Sequence, residues 1–262
     1  MFLPTILLLS IFSILSLVSA PAPPPHYLLS NPQSFSLKYR VPTVHKSAML
    51  ARRIVNLSSI ATLSTVFPSN PSIEDDFSTL SHPASDLGGA PIGLMDYYAS
   101  CSPRPYNPTF LAISIATTFR NTRAGSNVTL NLRWHPPPSA PPSDDIYTYS
   151  PANMPRFSLV GYIEPIPTSE ILSYDVEACF LDRHPDAEAW LPGNKIHQSW
   201  WGRLVVKEIY WIGGFGDRAY IGWIPEREWN AVSEDEVAKA RLVGEDGYEK
   251  YTESIEQEVL EL

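Results

Sequence analysis

One polar segment of the chain carries the side chains best suited to holding an anion. Residues 117–124 read TTFRNTRA, and Thr118, Arg120 and Arg123 lie there between two predicted strands. Hydroxyl and guanidinium groups at this spacing can be aimed at one phosphate, because a guanidinium matches phosphate oxygens in bidentate fashion. The alternative is a solvated turn with ordinary surface arginines, which is the favoured interpretation when the segment is considered alone.

Other patterns that could carry chemistry are weak. Residues 214–219 (GFGDRA) match the glycine fingerprint of dinucleotide binding, but a strand-like run follows where that mechanism needs a helix. We therefore predict a tight turn between strands. The six histidines have no metal-ligand spacing, and we find neither a nucleophile elbow nor a zinc-protease motif. No catalytic or metal-binding residue is predicted.

Helical and strand-like periods alternate along the chain and must position the polar segment. The spacing predicts helices over residues 42–57 and 169–183, the second capped by Thr168. Predicted strands are residues 59–67, 91–99, 109–115, 127–135, 156–166 and the two runs that flank residues 213–218. Residues 68–89 and 135–155 are predicted loops. Antiparallel strands in series with few helices indicate an α+β fold around a small barrel.

Residues 127–135 show the cleanest alternation in the sequence. Val128, Leu130 and Leu132 fall on one face of this strand, and Asn127 falls on the other with Arg133. This pattern is typical of a half-buried antiparallel strand with one wet side. Asn127 also begins an acceptor sequence for N-glycosylation, as does Asn56, and the wet side has room for a glycan.

The first residues indicate a secretory address. Residues 1–20 combine a short apolar core with small residues at the end, which is typical of a signal peptide and too short for a comfortable membrane span. Residues 21–40 are a proline-rich spacer. We expect a glycoprotein that is secreted or resides in the secretory or endolysosomal pathway, with no membrane span in the mature chain.

The cysteines and the charges limit the remaining possibilities. Cys101 and Cys179 are the only cysteines, so a disulfide is one interpretation, and an inert Cys179 on a helix face is the other. The second is favoured, since a domain of this size needs no disulfide framework.

Residues 233–262 hold ten acidic and three basic residues, so an acidic helical tail supplies most of the net charge of −9. The rest of the chain is nearly neutral, so it lacks the basic surface that is typical of nucleic-acid-binding proteins.

Five blocks in a fixed order give the chain a resemblance to the CREG-like family, within the pyridoxamine 5′-phosphate oxidase-like group of FMN-binding split barrels. They are SIATLSTVF (59–67), GAPIGLMDYYAS (89–100), ISIATTFRNTRAGSNVTL (113–130), FLDRHPDA (180–187) and the strand–GGFG–strand segment. Their order and spacing agree over residues 41–232. The resemblance implies a six-stranded antiparallel split β-barrel with flanking helices, paired into a homodimer with flavin or an equivalent ligand at the interface.

The resemblance also implies what the polar segment would do. In flavin-binding relatives the matching segment holds the FMN phosphate, so Thr118, Arg120 and Arg123 would be the contacts here. The arginine–lysine pair of those relatives is absent, and Ser126-Asn127 replaces their asparagine–proline. The secreted branch is similar to proteins that keep the fold without using flavin.

We therefore expect no cofactor and a non-catalytic homodimer that binds an unknown protein or small-molecule ligand. The first alternative is an FMN-dependent oxidoreductase, in which the flavin supplies the redox chemistry. A haem-binding protein is the weaker alternative, with His197, just ahead of Trp200-Trp201, as the candidate ligand.

Overall fold

A computed structural model of the chain describes residues 41–69, 87–101, 104, 106–216 and 218–253. The predicted signal peptide and proline-rich spacer, most of the loop at residues 68–89 and the last part of the acidic segment lie outside these residues. Within the described ranges, no helix is both long and apolar enough to cross a bilayer.

Fourteen short elements make up the described fold, and their bounds follow in chain order. They are α1 (Val44–Leu57), β1 (Ile60–Val66), β2 (Pro91–Tyr97), β3 (Thr109–Ile113), α2 (Thr117–Arg123), β4 (Val128–Arg133), β5 (Arg156–Pro165), α3 (Thr168–Ser173), α4 (Val176–Arg183), a 3-10 helix (Pro185–Trp190), β6 (Ser199–Ile212), β7 (Ile221–Ile224), α5 (Glu226–Ala231) and α6 (Glu234–Lys239).

All strands belong to one antiparallel sheet, ordered β2-β1-β4-β5-β6-β3, with the short β7 added beside β6. Long β6 therefore pairs with β5 along one edge and with β3 and then β7 along the other. The end strands β2 and β3 meet in a single bridge, Ala99 with Thr109. The predicted α+β split barrel is confirmed, with a seventh short strand.

The barrel interior is a continuous apolar core. Inward-facing residues of neighbouring strands are cross-strand partners, and Leu63, Leu130, Leu159 and Ile209 form one such row without solvent exposure. The apolar stripe of α1 packs against this core. This core fixes which face of each strand points outward.

The helix predicted over residues 169–183 is two helices, so the prediction was wrong in part. Asp175 adopts a left-handed conformation, which aspartate tolerates better than most residues and which ends a helix. Pro167, and not Thr168, is the N-cap residue of α3. Leu172, expected to pack on the barrel, is 76% exposed.

Part of the acidic segment is built into the domain, which differs from the solvated tail that its charge predicts. Val237 and Leu242 are buried against the core. Arg52 of α1 is buried as well, and its guanidinium donates to the Val232 carbonyl and pairs with the Glu234 carboxylate. Apolar residues among the charges, together with these pairs, hold the segment on α1.

A histidine of α1 joins the same contact and gives it a pH dependence. His45 Nε2 lies 2.9 Å from Glu236 Oε1, and Nδ1 lies 3.4 Å from Glu228 Oε2. The Glu236 hydrogen bond raises the pKa of His45 above its usual 6.5. The same bond, with help from the backbone and side chain of Ser233, lowers the pKa of Glu236 from 4.5 to about 2.

We expect His45→Gln to remove a stabilisation that depends on pH. Because the pKa of His45 is raised in the folded state, its contribution to the free energy of unfolding is complete below pH 6.5. This contribution is lost as pH rises through the folded-state pKa. The lowered pKa of Glu236 makes its contribution complete above pH 4.5 and lost toward pH 2. The difference in free energy of unfolding between wild type and variant, measured in urea, should therefore be larger at pH 5.5 than at pH 8.

Because both side chains are partly exposed, this difference should stay below about 1 kcal/mol. His197→Gln, in the loop before β6, is the matched control and should show no such change. Equal differences for His45→Gln at the two pH values would mean that the ion pairs do not form in solution.

Candidate binding site

The polar segment forms α2, and its apolar member anchors it to the barrel. Phe119 is buried and lies with its ring 6.3 Å from that of Phe110 and 6.2 Å from that of Trp200. Asn121 Nδ2 donates to Thr65 Oγ1 at 3.0 Å, which ties α2 to β1. This anchoring places one face of α2 inside the protein.

The three predicted phosphate contacts do not share one environment. Thr118 is only 1% exposed, so its hydroxyl is not accessible to a ligand at the surface. Arg123 donates from Nη2 to the Ser114 carbonyl at 2.7 Å, and Arg120 is half-buried with interactions inside the protein. This arrangement does not fit an FMN phosphate held jointly by the three residues.

The other residues predicted from the sequence lie in other elements and loops than α2. Asn127 is exposed immediately before β4, whereas Asn56 is half-buried in the last turn of α1. The backbone of His197 is held by Asn194, which accepts from the His197 amide and donates to its carbonyl, each at 2.7 Å. No group of three or more His, Cys, Asp or Glu residues in the described ranges is placed to hold a metal.

The two cysteines form a disulfide, although the sequence favoured an inert Cys179. Cys101, just beyond β2, is joined to Cys179 of α4 across a sequence separation of 78. The bridge lies in a second apolar cluster that includes Phe180 and Trp201 and covers the outside of β3 and the start of β6. The disulfide therefore fixes α4 to the barrel.

The remaining strands leave a broad surface that no helix of the described residues covers, and we call it the outer sheet face. Six outward residues that are successive cross-strand partners define its central row: Met95, Thr62, Asn131, Ser158, Tyr210 and Trp223. At about 4.8 Å between strands, this row is roughly 25 Å wide. Met95 and Trp223, at its two ends, are 68% and 54% exposed.

The centre of the row is polar and well ordered. Ser158 donates to Asn131 Oδ1 at 2.7 Å, and Asn131 Nδ2 donates to Ser64 Oγ at 3.0 Å. Trp223 packs edge-on against Tyr210 with ring centroids 5.0 Å apart. The outer sheet face thus combines fixed hydrogen-bonding groups with exposed aromatic and thioether side chains.

A cleft of about 500 Å³ opens on this face. Arg133, at the end of β4, and Arg156, at the start of β5, line the cleft together with His135. Burial and the charge of Arg133 lower the pKa of His135. The alternation at residues 127–135 predicts Arg133 on the wet face of its strand, but local sequence does not predict its pairing with Arg156, because residues 134–155 separate the two.

A second cavity, of about 190 Å³, lies beside β2 and β3. Its lining includes Asp96, Tyr97, Leu111, Phe180 and Trp190. Burial raises the pKa of Asp96 to about 6. At neutral pH this carboxylate opposes the binding of an anion, so the cavity is a poor site for a phosphate group.

Comparison with known proteins finds one family at the level of sequence. A family model described as "CREG, beta-barrel" matches residues 42–231. No curated protein sequence matches the chain.

Solved structures give similarities at low identity. A heme binding protein from Mycobacterium smegmatis is 18% identical with a TM-score of 0.49, covering 73% of this chain and 62% of its own. A further structure is 17% identical with a TM-score of 0.50 and covers 73% and 99%. A Listeria innocua protein, provisionally assigned as a pyridoxamine 5′-phosphate oxidase, is 10% identical with a TM-score of 0.37 and covers 66% and 100%. This chain thus spans 62% of the mycobacterial protein's length. At these identities the likeness concerns the fold alone.

Proposed function

The chain belongs to the CREG β-barrel family, and from this premise we propose that it is a secreted, glycosylated homodimer that binds a protein or small-molecule ligand without catalysing a reaction. The secretory address, with the endolysosomal pathway as its other destination, rests on residues 1–20 and on the acceptor asparagines Asn56 and Asn127. Asn127 is exposed and available to a glycan.

The observation that carries the proposal is the outer sheet face, over which the described part of the chain places no helix. Exposed large apolar side chains gather there, with Met95, Tyr210 and Trp223 in one cross-strand row and Ile60 and Ile221 beside it. Exposed apolar side chains on both sides of a polar centre favour an interaction site on this face. A second copy of the chain is the occupant that the resemblance implies, and an isologous contact needs only this one face on each copy.

The non-catalytic part of the proposal rests on α2. An FMN-dependent oxidoreductase needs a site for the cofactor phosphate, and the buried Thr118 and the engaged Arg123 do not supply one. The haem alternative finds less support, since His197 lies in a loop and lines neither of the two cavities described above.

An absorbance titration tests the non-catalytic proposal. We expect the protein secreted from a glycosylating host to be colourless, and added FMN to gain no contact with α2, because that helix offers no site for its phosphate. The double variant Arg120→Ala with Arg123→Ala should behave identically.

Arg227→Ala, an exposed arginine of α5, is the matched control. A bound flavin band that disappears in the double variant but persists in Arg227→Ala would establish the oxidoreductase instead. A spectrum that changes on adding haem, and does so less in His197→Ala, would favour haem binding.

A further inference from the structure

The cleft on the outer sheet face holds two arginines in an arrangement that costs stability. Arg133 and Arg156 are direct cross-strand partners of β4 and β5. Side chains in this relation start about 5 Å apart, and like charges placed there repel each other. His135 lies beside them, with its Nδ1 3.2 Å from Arg133 Nη2.

No carboxylate offsets this charge in the described residues. The residues that line the cleft include none that is acidic. Within the described chain, the hydrogen bonds of Arg133 go to His135, and Arg156 donates to the Ala152 carbonyl at 3.3 Å. Among the described residues, neither guanidinium therefore forms an ion pair.

Two other arginines of the domain are paired with carboxylates. Arg53 pairs with Glu245 at 2.7 Å, and Arg203 pairs with Glu164 at 2.7 Å and Glu170 at 2.5 Å. At these two positions the fold supplies a carboxylate to the arginine. The cationic pair in the cleft lacks this partner, which leaves it available to an anion from outside.

The rest of the cleft fits an apolar body attached to such an anion. Ile60, Met95, Tyr210 and Ile212 also line it, and its volume of about 500 Å³ lies in the range of small-molecule sites. Thr62 and Ser158 add hydroxyl groups on its floor.

We infer that this cleft binds a small molecule with a phosphate group on an aromatic or aliphatic body. The phosphate lies between Arg133, Arg156 and His135, and the body lies along Ile60, Met95 and Tyr210. Two guanidiniums suit a dianion such as a phosphate monoester better than a single carboxylate, because each guanidinium can give two parallel hydrogen bonds. The inference deepens the proposed binding role, on which it rests, by naming the class of ligand.

The test uses the full glycosylated chain and three probes in calorimetric titrations: 1-naphthyl phosphate, neutral 1-naphthol and inorganic phosphate. We expect 1-naphthyl phosphate to bind at least about tenfold more tightly than either of the others. Arg133→Gln and Arg156→Gln should each weaken its binding about tenfold, since each removes charge-assisted hydrogen bonds. The control Arg227→Gln, on exposed α5, should bind as the wild type does.

A melting experiment without ligand separates this role from a structural one. Relief of the like-charge contact should make Arg156→Gln melt at a higher temperature than the wild type, whereas an arginine that supports the fold would give a lower one. Three results would overturn the inference: no binding of 1-naphthyl phosphate, equal binding of 1-naphthol, or unchanged binding by the two arginine variants.

The oligomeric state, measured on the same samples, keeps the two proposals distinct. A monomer that binds 1-naphthyl phosphate through Arg133 and Arg156 would contradict the homodimer and support the site. If neither the dimer nor the Trp223→Asp monomer binds it, the site is contradicted and the homodimer is left standing.

Discussion

Replacing both Cys101 and Cys179 with serine is expected to lower the free energy of unfolding by about 4 kcal/mol. The bridge closes a segment with a sequence separation of 78, and in the chain-entropy model a closed loop of this length restricts the unfolded state by about that amount. For a domain of this size the melting temperature should fall by roughly 10 °C. Urea denaturation of the secreted protein measures the change.

The disulfide also explains which part of the protein should loosen. It joins the residues after β2 to α4, whose Phe180 is fully buried against Trp201 and His184. Wild type treated with a reductant is the control and should match the double variant. If the variant is as stable as the untreated wild type, or if reductant changes nothing, the bridge does not contribute as described.

Local periodicity accounts for the part of the fold that the sequence predicts well. The alternation at residues 127–135 put Val128, Leu130 and Leu132 on one face, and all three are buried. Strand β1 and helix α1 lie within two residues of their predicted bounds. In these segments the pattern of neighbouring residues is sufficient to predict the helix or strand.

Contacts between distant segments account for what the sequence did not predict. The cationic cleft depends on the register that sets Arg133 opposite Arg156 across an intervening loop. The packing of the acidic segment on α1 depends on Arg52 finding partners about 180 residues later. The environment of the polar segment was not predictable for the same reason. The burial of Thr118 follows from the packing of α2 on the barrel and not from the spacing of residues in the segment.

The second large effect is expected at the outer sheet face. Trp223→Asp should weaken the homodimer about hundredfold, because it replaces a 54% exposed aromatic side chain with a carboxylate that must lose water at the interface without a partner. Trp223 does not line the cleft, so binding of 1-naphthyl phosphate by the monomer should survive. Leu172→Asp, on α3 away from this face, is the matched control and should leave the dimer intact.

Sedimentation equilibrium of the secreted wild-type chain, run beside Trp223→Asp and Leu172→Asp, tests the central claim most directly. We predict a species of twice the chain mass for the wild type and for Leu172→Asp, and a shift to single chains for Trp223→Asp. A wild type that sediments as a single chain at all concentrations would contradict the account. So would a dimer that Trp223→Asp leaves as stable as before.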